Sequence, residues 1–382
     1  MTLDAYRARY DLPAGRAYLN YAALGVLARP AADAVRAYLD ERAGAAPGAF
    51  EPHLDTIERA LDRAAALLGT DRAHVETLPN TTYGIDVLVR GLAWRPGDRV
   101  AVPACEFPTN RLPWRALEAK GVAVDLVPHR EGTFTVDAFR EVVTARTRVV
   151  AVSSVQFLSG FRADLAALGQ LARDHGALFC VDAIQSLGAL RLDVEALGVD
   201  LAAAGGHKWL GGMTGAGLIY ASDRVLAEAD PVVGWLGGPV DWDDFEGADG
   251  ALHPDARRLR AGTVAVAPML ALDASLDGML ALGPGALEAA VLENAARLAH
   301  GAERLGLARF GSADPAHASG IVTLAPPDPE AAFQRLADAG VDAALRSRRL
   351  RLSAHAQTRP DEIDRALAAL AEVASPQPTV FA

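Results

Sequence analysis

The chain has 382 residues, of which 51% are hydrophobic and 22% are charged, a composition typical of a soluble globular protein with a large core. At ~100–200 residues per domain, this length predicts two domains. The formal net charge of −11 argues against a nucleic-acid-binding surface and against attraction to an anionic membrane.

Cysteine usage and the first residues favour a cytoplasmic protein. The two cysteines, Cys105 and Cys180, form no disulfide framework and do not have metal-ligand spacing, so no metal site is expected. Residues 1–10 include charged side chains and lack the continuous apolar segment of a signal peptide. No uncharged apolar run approaches the ~18–20 residues that span a bilayer.

In chain order, an extended entry segment at 16–23 is followed by helices and strands that alternate. Apolar periodicity predicts helices at 30–42, 54–68, 85–92, 110–119 and 164–175. It predicts strands at 75–78, 99–102, 122–127, 148–155, 177–182, 201–204 and 218–220. Strands separated by helices of this length are typical of βαβ units, so we predict an α/β fold with a mostly parallel, doubly wound sheet.

The pattern changes after residue 231. Residues 234–250 hold two tryptophans and five acidic residues among glycines without a period, which predicts a long loop. Helices then dominate, at 268–282, 285–305 and 361–373, with strand candidates at 320–324 and 350–353. This α+β pattern predicts a domain change near residue 265. We therefore expect an N-terminal segment at 1–20, a large domain at 21–265 and a small C-terminal domain at 266–382.

The most informative stretch is Gly205-Gly206-His207-Lys208-Trp209-Leu210-Gly211-Gly212, which follows an apolar strand. The chain has only two lysines, Lys120 and Lys208, among its 37 basic residues. A desolvated amine can lose its proton and attack a carbonyl, whereas a guanidinium stays charged, so a lysine retained here indicates Schiff-base chemistry. A surface lysine in a glycine-rich turn is the alternative that this stretch alone leaves open.

Polar and aromatic side chains follow several strands at the edge where doubly wound sheets bind ligands. Asn80-Thr81-Thr82 begins a helix whose free N–H groups and hydroxyls suit a phosphate, or form an ordinary N-cap. Phe107 either packs in the core or stacks on an aromatic cofactor. Asp182 ends an apolar strand, where a carboxylate needs a partner such as a protonated ring nitrogen, unless it caps the following turn. Gln185 faces the same ligand only if the chain bends after the strand.

Three motifs in this order resemble the class V aminotransferase family of fold-type-I pyridoxal-phosphate (PLP) enzymes: Asp182-x-x-Gln185, Gly205-Gly206-His207-Lys208 and Arg258-Leu259-Arg260-Ala261-Gly262-Thr263. The resemblance runs from about residue 18 to residue 364. It implies that Lys208 holds PLP as a Schiff base and moves protons at the substrate α-carbon. It also implies that Asp182 keeps the pyridinium nitrogen protonated, so that the ring accepts electrons.

The same resemblance implies the remaining ligand contacts. It assigns ring stacking to Phe107, contacts near the phenolic oxygen to Gln185 and Gln156, and phosphate contacts to Thr81, Thr82 and His207. Thr263 matches a phosphate contact that such dimers supply from the partner subunit, so a homodimer with shared active sites is implied. Arg351 matches the arginine that binds the substrate carboxylate, for which a guanidinium fork is well suited.

One departure from the family pattern bears on the reaction. Cysteine desulfurases of this family carry a nucleophilic cysteine shortly before that arginine, and residues 340–351 contain none. We therefore predict a PLP-dependent aminotransferase that acts on a small α-amino acid. The alternatives are a β-eliminating carbon–sulfur lyase or an amino-acid epimerase with the same residues, and a non-catalytic binding protein on a PLP fold. The identity of the amino acid is left open.

Overall fold

The computed structural model describes residues 1–44, 51–230, 233–244 and 250–374. Part of the predicted loop at 234–250 and the end of the predicted small domain lie outside these ranges. The described α-helices are α1 (Leu3–Arg7), α2 (Arg29–Ala43), α3 (Glu51–Leu68), α4 (Thr81–Gly91), α5 (Leu112–Arg115), α6 (Val136–Arg140), α7 (Leu165–Asp174), α8 (Asp223–Glu228), α9 (Val266–Leu282), α10 (Pro284–Arg304), α11 (Pro329–Asp338) and α12 (Pro360–Ala374). The described strands are β1 (Ala17–Tyr18), β2 (Val75–Leu78), β3 (Arg99–Pro103), β4 (Ala123–Val127), β5 (Thr147–Ser153), β6 (Leu178–Asp182), β7 (Leu201–Gly205), β8 (Gly217–Ala221), β9 (Ile321–Leu324), β10 (Val341–Asp342), β11 (Ala344–Arg346) and β12 (Arg349–Ser353).

A seven-stranded sheet forms the centre of the molecule, in the order β2-β8-β7-β6-β5-β3-β4. Strand β8 is antiparallel to both of its neighbours, and the other pairs are parallel. Strands β6, β7 and β8 are buried along their whole length, because both faces of the sheet are covered there. In β6, Phe179 and Val181 lie in one hydrophobic core, whereas Leu178 and Cys180 lie in the other. The predicted α/β fold with a mostly parallel sheet is confirmed.

A second, antiparallel sheet has the order β11-β12-β9. Its core includes residues of α10, α11 and α12, and it also takes in Ala17 and Leu19 from the start of the chain. Strand β1 reaches this region by pairing in parallel with β10. Helix α9 follows the predicted domain boundary yet packs against α2 and α3, with Met269 and Leu272 in the core of the large sheet. The division of the chain at residue 265 stays a prediction.

Several local elements differ from the predictions. The helix expected at 110–119 is the short α5, between 3₁₀ segments at Pro108–Asn110 and Ala116–Lys120. Helices α1, α6, α8 and α11 were not predicted. For α11 the sequence did carry a signal, since Asp328 accepts a hydrogen bond from the Ala331 N–H as its N-cap and Pro329 begins the helix. Among the described residues no single helix has the length and apolar composition of a membrane span; only α9 and α10 together reach them, bent by 88°.

Candidate active site

The carboxyl ends of β2, β3, β5, β6 and β7 lie along one edge of the sheet, and most of the predicted site residues follow these ends. Lys208 lies just beyond β7, in a loop that the N-terminal segment covers. The Gly25 N–H donates to the His207 carbonyl at 2.8 Å. A Cβ at residue 25 would lie 2.0 Å from the Lys208 carbonyl oxygen, so only glycine allows this close approach.

Lys208 has the electrostatics of a reactive amine. Burial lowers the pKa of its ammonium group to about 8; the nearby carboxylate of Asp182 opposes this shift, and the charge of Arg351 adds to it. The Nζ atom lies 5.9 Å from the ring centroid of Phe107. At pH 7 roughly one molecule in ten therefore carries a neutral amine here, far more than for an exposed lysine.

Asp182 is a buried carboxylic acid without a cationic partner in hydrogen-bond contact among the described residues. Its side chain is 1% exposed, and burial raises the pKa of its carboxyl to about 6, while the Ile184 N–H and the charge of Lys208 act in the opposite direction. The Ile184 N–H donates to Oδ1 at 3.0 Å. Among the described residues Asp182 forms no ion pair, so a protonated ring nitrogen would supply the missing partner.

The first turn of α4 forms a cup of hydrogen-bond donors. Asn80 caps the helix by accepting from the Tyr83 N–H at 3.1 Å. The Thr81 hydroxyl accepts from the Gly205 N–H at 3.0 Å, and the exposed Thr82 hydroxyl lies 3.0 Å from the hydroxyl of Thr109. This geometry would suit a phosphate, because helix N–H groups and the helix dipole both favour an anion.

A glycine allows α4 to lie this close to the sheet. A Cβ at Gly84 would be 2.5 Å from the Cβ of Ala203 in β7. The close packing brings the start of α4 against the end of β7, next to the loop that carries Lys208. The fold thus holds the anion cup and the amine on neighbouring elements.

The two glutamines differ in what their amides contact. Gln156 is 1% exposed, and its Nε2 donates to Oε1 of Glu106 at 2.7 Å, while its own Oε1 has no hydrogen-bond partner among the described residues. Gln185 donates to the Ala22 carbonyl at 3.0 Å and accepts from the Trp209 indole at 2.8 Å. One N–H of Gln185 therefore remains for a ligand, and its predicted role near a phenolic oxygen stays a prediction.

Glu106 is a site residue that the sequence analysis missed. It is 4% exposed, and burial raises the pKa of its carboxyl to about 7, against the donors of Ser153 and Gln156 and with the charge of Asp182. Its signal was available, since it follows the end of β3 just as Asp182 ends β6. The sequence does not show which residues Glu106 meets. They are Ser153 at the end of β5 and Gln156 in the loop after it.

Arg351 reaches the site from β12 of the second sheet. It is 4% exposed; its Nη1 donates to the Phe157 carbonyl at 2.7 Å, and its Nε has no partner among the described residues. Burial, with a contribution from Arg346, lowers the pKa of its guanidinium group to about 10. The ring of Phe157 packs edge-on against Phe107 at 5.2 Å. Arg351 is thus a buried cation with unused donors beside the predicted stacking residue.

His207 and Thr263 are the remaining predicted phosphate contacts. His207 is half-buried, and burial together with the charge of Lys208 lowers the pKa of its imidazole, so the ring is mostly neutral near pH 7. Thr263 is exposed and borders a cavity of about 280 Å³. Neither Lys208 nor Asp182 is among the described residues that line this cavity, which include Thr77, Leu78, Pro79, Tyr83, Leu259 and Arg260.

The side chains present suit PLP. A buried carboxylate without an ion pair fits the ring nitrogen, helix N–H groups and hydroxyls fit the phosphate, and an amine of lowered pKa fits the aldehyde. The unpartnered Oε1 of Gln156 and Nε of Arg351 leave an acceptor and a donor for bound ligands. We conclude that the residues at this edge of the sheet fit the cofactor that the motifs imply.

Comparison with known proteins agrees with this geometry. The model of the family described as Aminotransferase class-V matches residues 17–342. A probable cysteine desulfurase of Methanothermobacter thermautotrophicus is 34% identical over 284 residues, covering 72% of this chain and 70% of that protein. A cysteine desulfurase of Salmonella newport is 32% identical over 211 residues, covering 53% of this chain and 50% of that protein.

Solved structures show the same fold. A cysteine desulfurase from Thermococcus onnurineus NA1 superposes with a TM-score of 0.87 at 21% identity, covering 98% of both chains. The cystine C–S lyase C-DES, in complex with its reaction product cysteine persulfide, superposes with a TM-score of 0.85 at 24% identity, covering 94% of this chain and 98% of C-DES. With the family match over residues 17–342, the chain belongs to the class V aminotransferase family of PLP-dependent enzymes.

Proposed function

We propose that this protein is a PLP-dependent carbon–sulfur lyase, which eliminates a sulfur leaving group from the β-carbon of an amino acid and releases it into solvent. The relatives of 34% and 32% identity are named cysteine desulfurases, and a structure of the same fold is named a cystine C–S lyase. These names favour carbon–sulfur bond cleavage over the aminotransferase activity that the sequence analysis predicted first.

The observation that carries the proposal is the lack of a competent thiol. The sequence has only two cysteines. Burial and the neighbouring carboxylate of Glu106 raise the pKa of the Cys105 thiol to about 12. Cys180 is fully buried in β6, and burial raises its pKa even more strongly. Since the thiolate is the nucleophile, neither cysteine is suited to take sulfur from a substrate as a persulfide.

The segment before Arg351 gives further support. Strands β11 and β12 form a hairpin, and its turn residues Ser347 and Arg348 have φ angles of 47° and 56°. This turn connects the strands directly, where a desulfurase of the family would carry its cysteine loop. A sulfur atom released at the β-carbon therefore finds no enzyme nucleophile on this side.

The reaction needs three actions from the chain, and PLP supplies the electron sink that makes the substrate α-proton acidic. The guanidinium group of Arg351 binds the substrate carboxylate through its free donors. The Nζ atom of Lys208 then removes the α-proton, which its pKa of about 8 permits near neutral pH. The carboxylate of Asp182 stays ionised above pH 6 and holds a proton on the ring nitrogen.

The overall reaction balances without an added oxidant or reductant. The Cα–H and Cβ–S bonds break, the electron pair of the Cβ–S bond leaves with sulfur, and the sulfur takes up a proton. With one water, a substrate R–S–CH₂–CH(NH₃⁺)–COO⁻ gives R–SH, pyruvate and ammonium. The ring of Phe107 is 44% exposed and lies 5.9 Å from the Nζ atom of Lys208, so it is available to stack on a bound cofactor ring.

Product analysis tests the proposal. The purified protein with PLP is incubated with L-cysteine and with L-cystine, and we expect pyruvate and ammonium in equal amounts. A desulfurase would form alanine instead, and an aminotransferase would form 3-mercaptopyruvate from cysteine while converting the cofactor to its amine form. Alanine or 3-mercaptopyruvate without pyruvate contradicts the proposal. The Lys208→Arg variant is the control for cofactor chemistry that occurs without the enzyme amine.

We also propose a homodimer in which Thr263 serves the site of the other subunit. The separation of its cavity from Lys208 and Asp182 in its own chain supports this arrangement. Mixing an inactive Lys208→Arg chain with a Thr263→Val chain should form mixed dimers in which one site has both functional residues. Recovered activity in the mixture supports sharing, and an additive result contradicts it.

A further inference from the structure

Glu106 is a buried acid beside the site that the proposed reaction does not use. Its Oε1 accepts from the Ser153 N–H at 2.6 Å and from Gln156 Nε2 at 2.7 Å. Its Oε2 accepts from the Ser153 hydroxyl. It forms no ion pair with any residue in the described part of the chain. Its negative charge is therefore stabilised by hydrogen-bond donors alone, and one of them belongs to Gln156.

The bond to Glu106 decides which end of the Gln156 amide faces the site. An ionised carboxylate only accepts hydrogen bonds, so Gln156 must turn its Nε2 toward Glu106. The carbonyl Oε1 then points away from Glu106, and it is buried without a donor among the described residues. Buried acceptors without a partner are rare in folded proteins. The arrangement therefore calls for an O–H or N–H group from a bound ligand.

The surroundings of Gln156 place this acceptor in the ligand site. The next residue, Phe157, packs against Phe107 at 5.2 Å and accepts a hydrogen bond from Arg351 at 2.7 Å. The backbone of Gln156 is fixed as well, because its N–H donates to the Phe161 carbonyl at 2.9 Å. With the backbone fixed on one side and the amide fixed by Glu106 on the other, Oε1 has little freedom to turn.

A purely structural role for Glu106 would be to tie the loop after β3 to β5. The two bonds to Ser153 are sufficient for that purpose. Asp200 is a buried acid that makes such a tie elsewhere, since it accepts from the Phe179 N–H at 2.8 Å and from the Ser222 hydroxyl at 3.0 Å, and it also forms an ion pair with Arg224 at 3.1 Å. Asp200 precedes the amino end of β7, away from Lys208, and orients no unpartnered amide. The additional bond to Gln156 is what distinguishes Glu106.

We propose that Glu106 is a positioning residue that locks the Gln156 amide, so that Oε1 faces the bound amino acid or cofactor as a hydrogen-bond acceptor. The proposal requires that Gln156 contacts the ligand. It does not depend on whether the reaction is an elimination or an amino transfer.

Protonation of Glu106 should allow the Gln156 amide to change its orientation. Burial raises the pKa of its carboxyl to about 7, and Asp182 adds to this effect, while Ser153 and Gln156 oppose it. Below that pH the neutral carboxyl can donate a proton, and Gln156 can reverse its amide. The other titratable groups that act on or are affected by Glu106 are Asp182, Cys105 and Cys180. Neither thiol ionises in this range.

The test uses 2-methylalanine, an amino acid without an α-hydrogen, which binds to the PLP-loaded protein without turnover. Its Kd is measured from the change in PLP absorbance. Measured above pH 7, where Glu106 is ionised, Glu106→Met, which removes the acceptor at similar length, and Gln156→Ala should each raise this Kd about tenfold or more, the loss expected for one hydrogen bond to a charged or buried group. The double variant should bind no more weakly than Gln156→Ala alone, because no amide is left to orient.

Asp200→Leu is the control, and we expect it to lower thermal stability without changing the Kd. Normal binding by Glu106→Met, or a double variant whose loss is the product of the single losses, overturns the proposal. If Glu106→Met does not fold, the wild-type Kd still provides a test, since it should rise as the pH falls through about 7, and Gln156→Ala should remove that step. Identical pH profiles for the two proteins overturn the proposal. Binding of 2-methylalanine involves no elimination, so failure here leaves the lyase proposal to be decided by the pyruvate measurement.

Discussion

Replacing Arg351 with methionine should make substrate binding much weaker and leave the folded protein at least as stable. Burial lowers the pKa of this guanidinium group from its ordinary 12.5 to about 10. Below pH 10 the guanidinium group is charged in both the folded and the unfolded protein. Burying this charge therefore lowers the free energy of unfolding by about 3 kcal/mol, at ~1.4 kcal/mol per pKa unit. Methionine is of similar length and does not incur this cost.

The substitution also removes the hydrogen bond from Arg351 to Phe157, and this loss destabilises the folded protein. The Phe157 carbonyl accepts from Arg351 at 2.7 Å, and leaving it without a donor costs about 1–3 kcal/mol. The difference predicts that Arg351→Met is between about 0 and 2 kcal/mol more stable than the wild type. Substrate binding should lose about 3 kcal/mol from the free donors of the guanidinium group, or roughly a hundredfold in KM.

Two measurements check this prediction on the PLP-loaded protein. Denaturant unfolding without substrate gives the change in the free energy of unfolding, and initial rates at varied substrate concentration give KM. Arg335→Met is the control, because Arg335 forms an exposed ion pair with Glu372 and should change neither value appreciably. An Arg351→Met variant that is several kcal/mol less stable and has a normal KM would refute the assignment of Arg351 as a substrate-binding cation.

Four further predictions concern the amine and the packing around it. Lys208→Arg should keep the fold and lose the violet absorption band of covalently held PLP, so normal turnover by this variant contradicts the assignment. Capture of added PLP by the cofactor-free wild type should accelerate as pH rises, with a midpoint near 8, because the amine must lose its proton. Asp182→Asn should move this midpoint to lower pH, since the Asp182 carboxylate raises the pKa of Lys208; stopped-flow absorbance measures both midpoints, and an upward shift is the wrong sign. Gly84→Ala should destabilise the protein by about 1–3 kcal/mol, because the new Cβ would lie 2.5 Å from that of Ala203. Gly285→Ala in α10 is the control, since its Cβ would meet nothing within 4 Å and the substitution should be neutral or stabilising; denaturant unfolding measures both.

The sequence by itself determined the frame of the site. The alternation of apolar strands and amphipathic helices predicted a mostly parallel α/β sheet, and the single lysine among glycines stood out because arginine supplies nearly all other positive charge. Both features are local, because burial, periodicity and residue type depend on neighbours in the chain. Asp182 could be predicted for the same reason, since an acid that ends an apolar strand is costly to bury without a partner.

Only the tertiary structure decided how these groups are paired. It joined Arg351 of the second sheet to the carbonyl of Phe157 and gave the guanidinium group no ion pair among the described residues. In the folded chain the amide of Gln185 is hydrogen-bonded to Ala22 and Trp209, and the amide of Gln156 donates to Glu106. An amide or a guanidinium group can bond to many partners, so its sequence position does not specify which one it meets. That choice depends on which strand ends and loops the packed sheets bring within about 3 Å of each other.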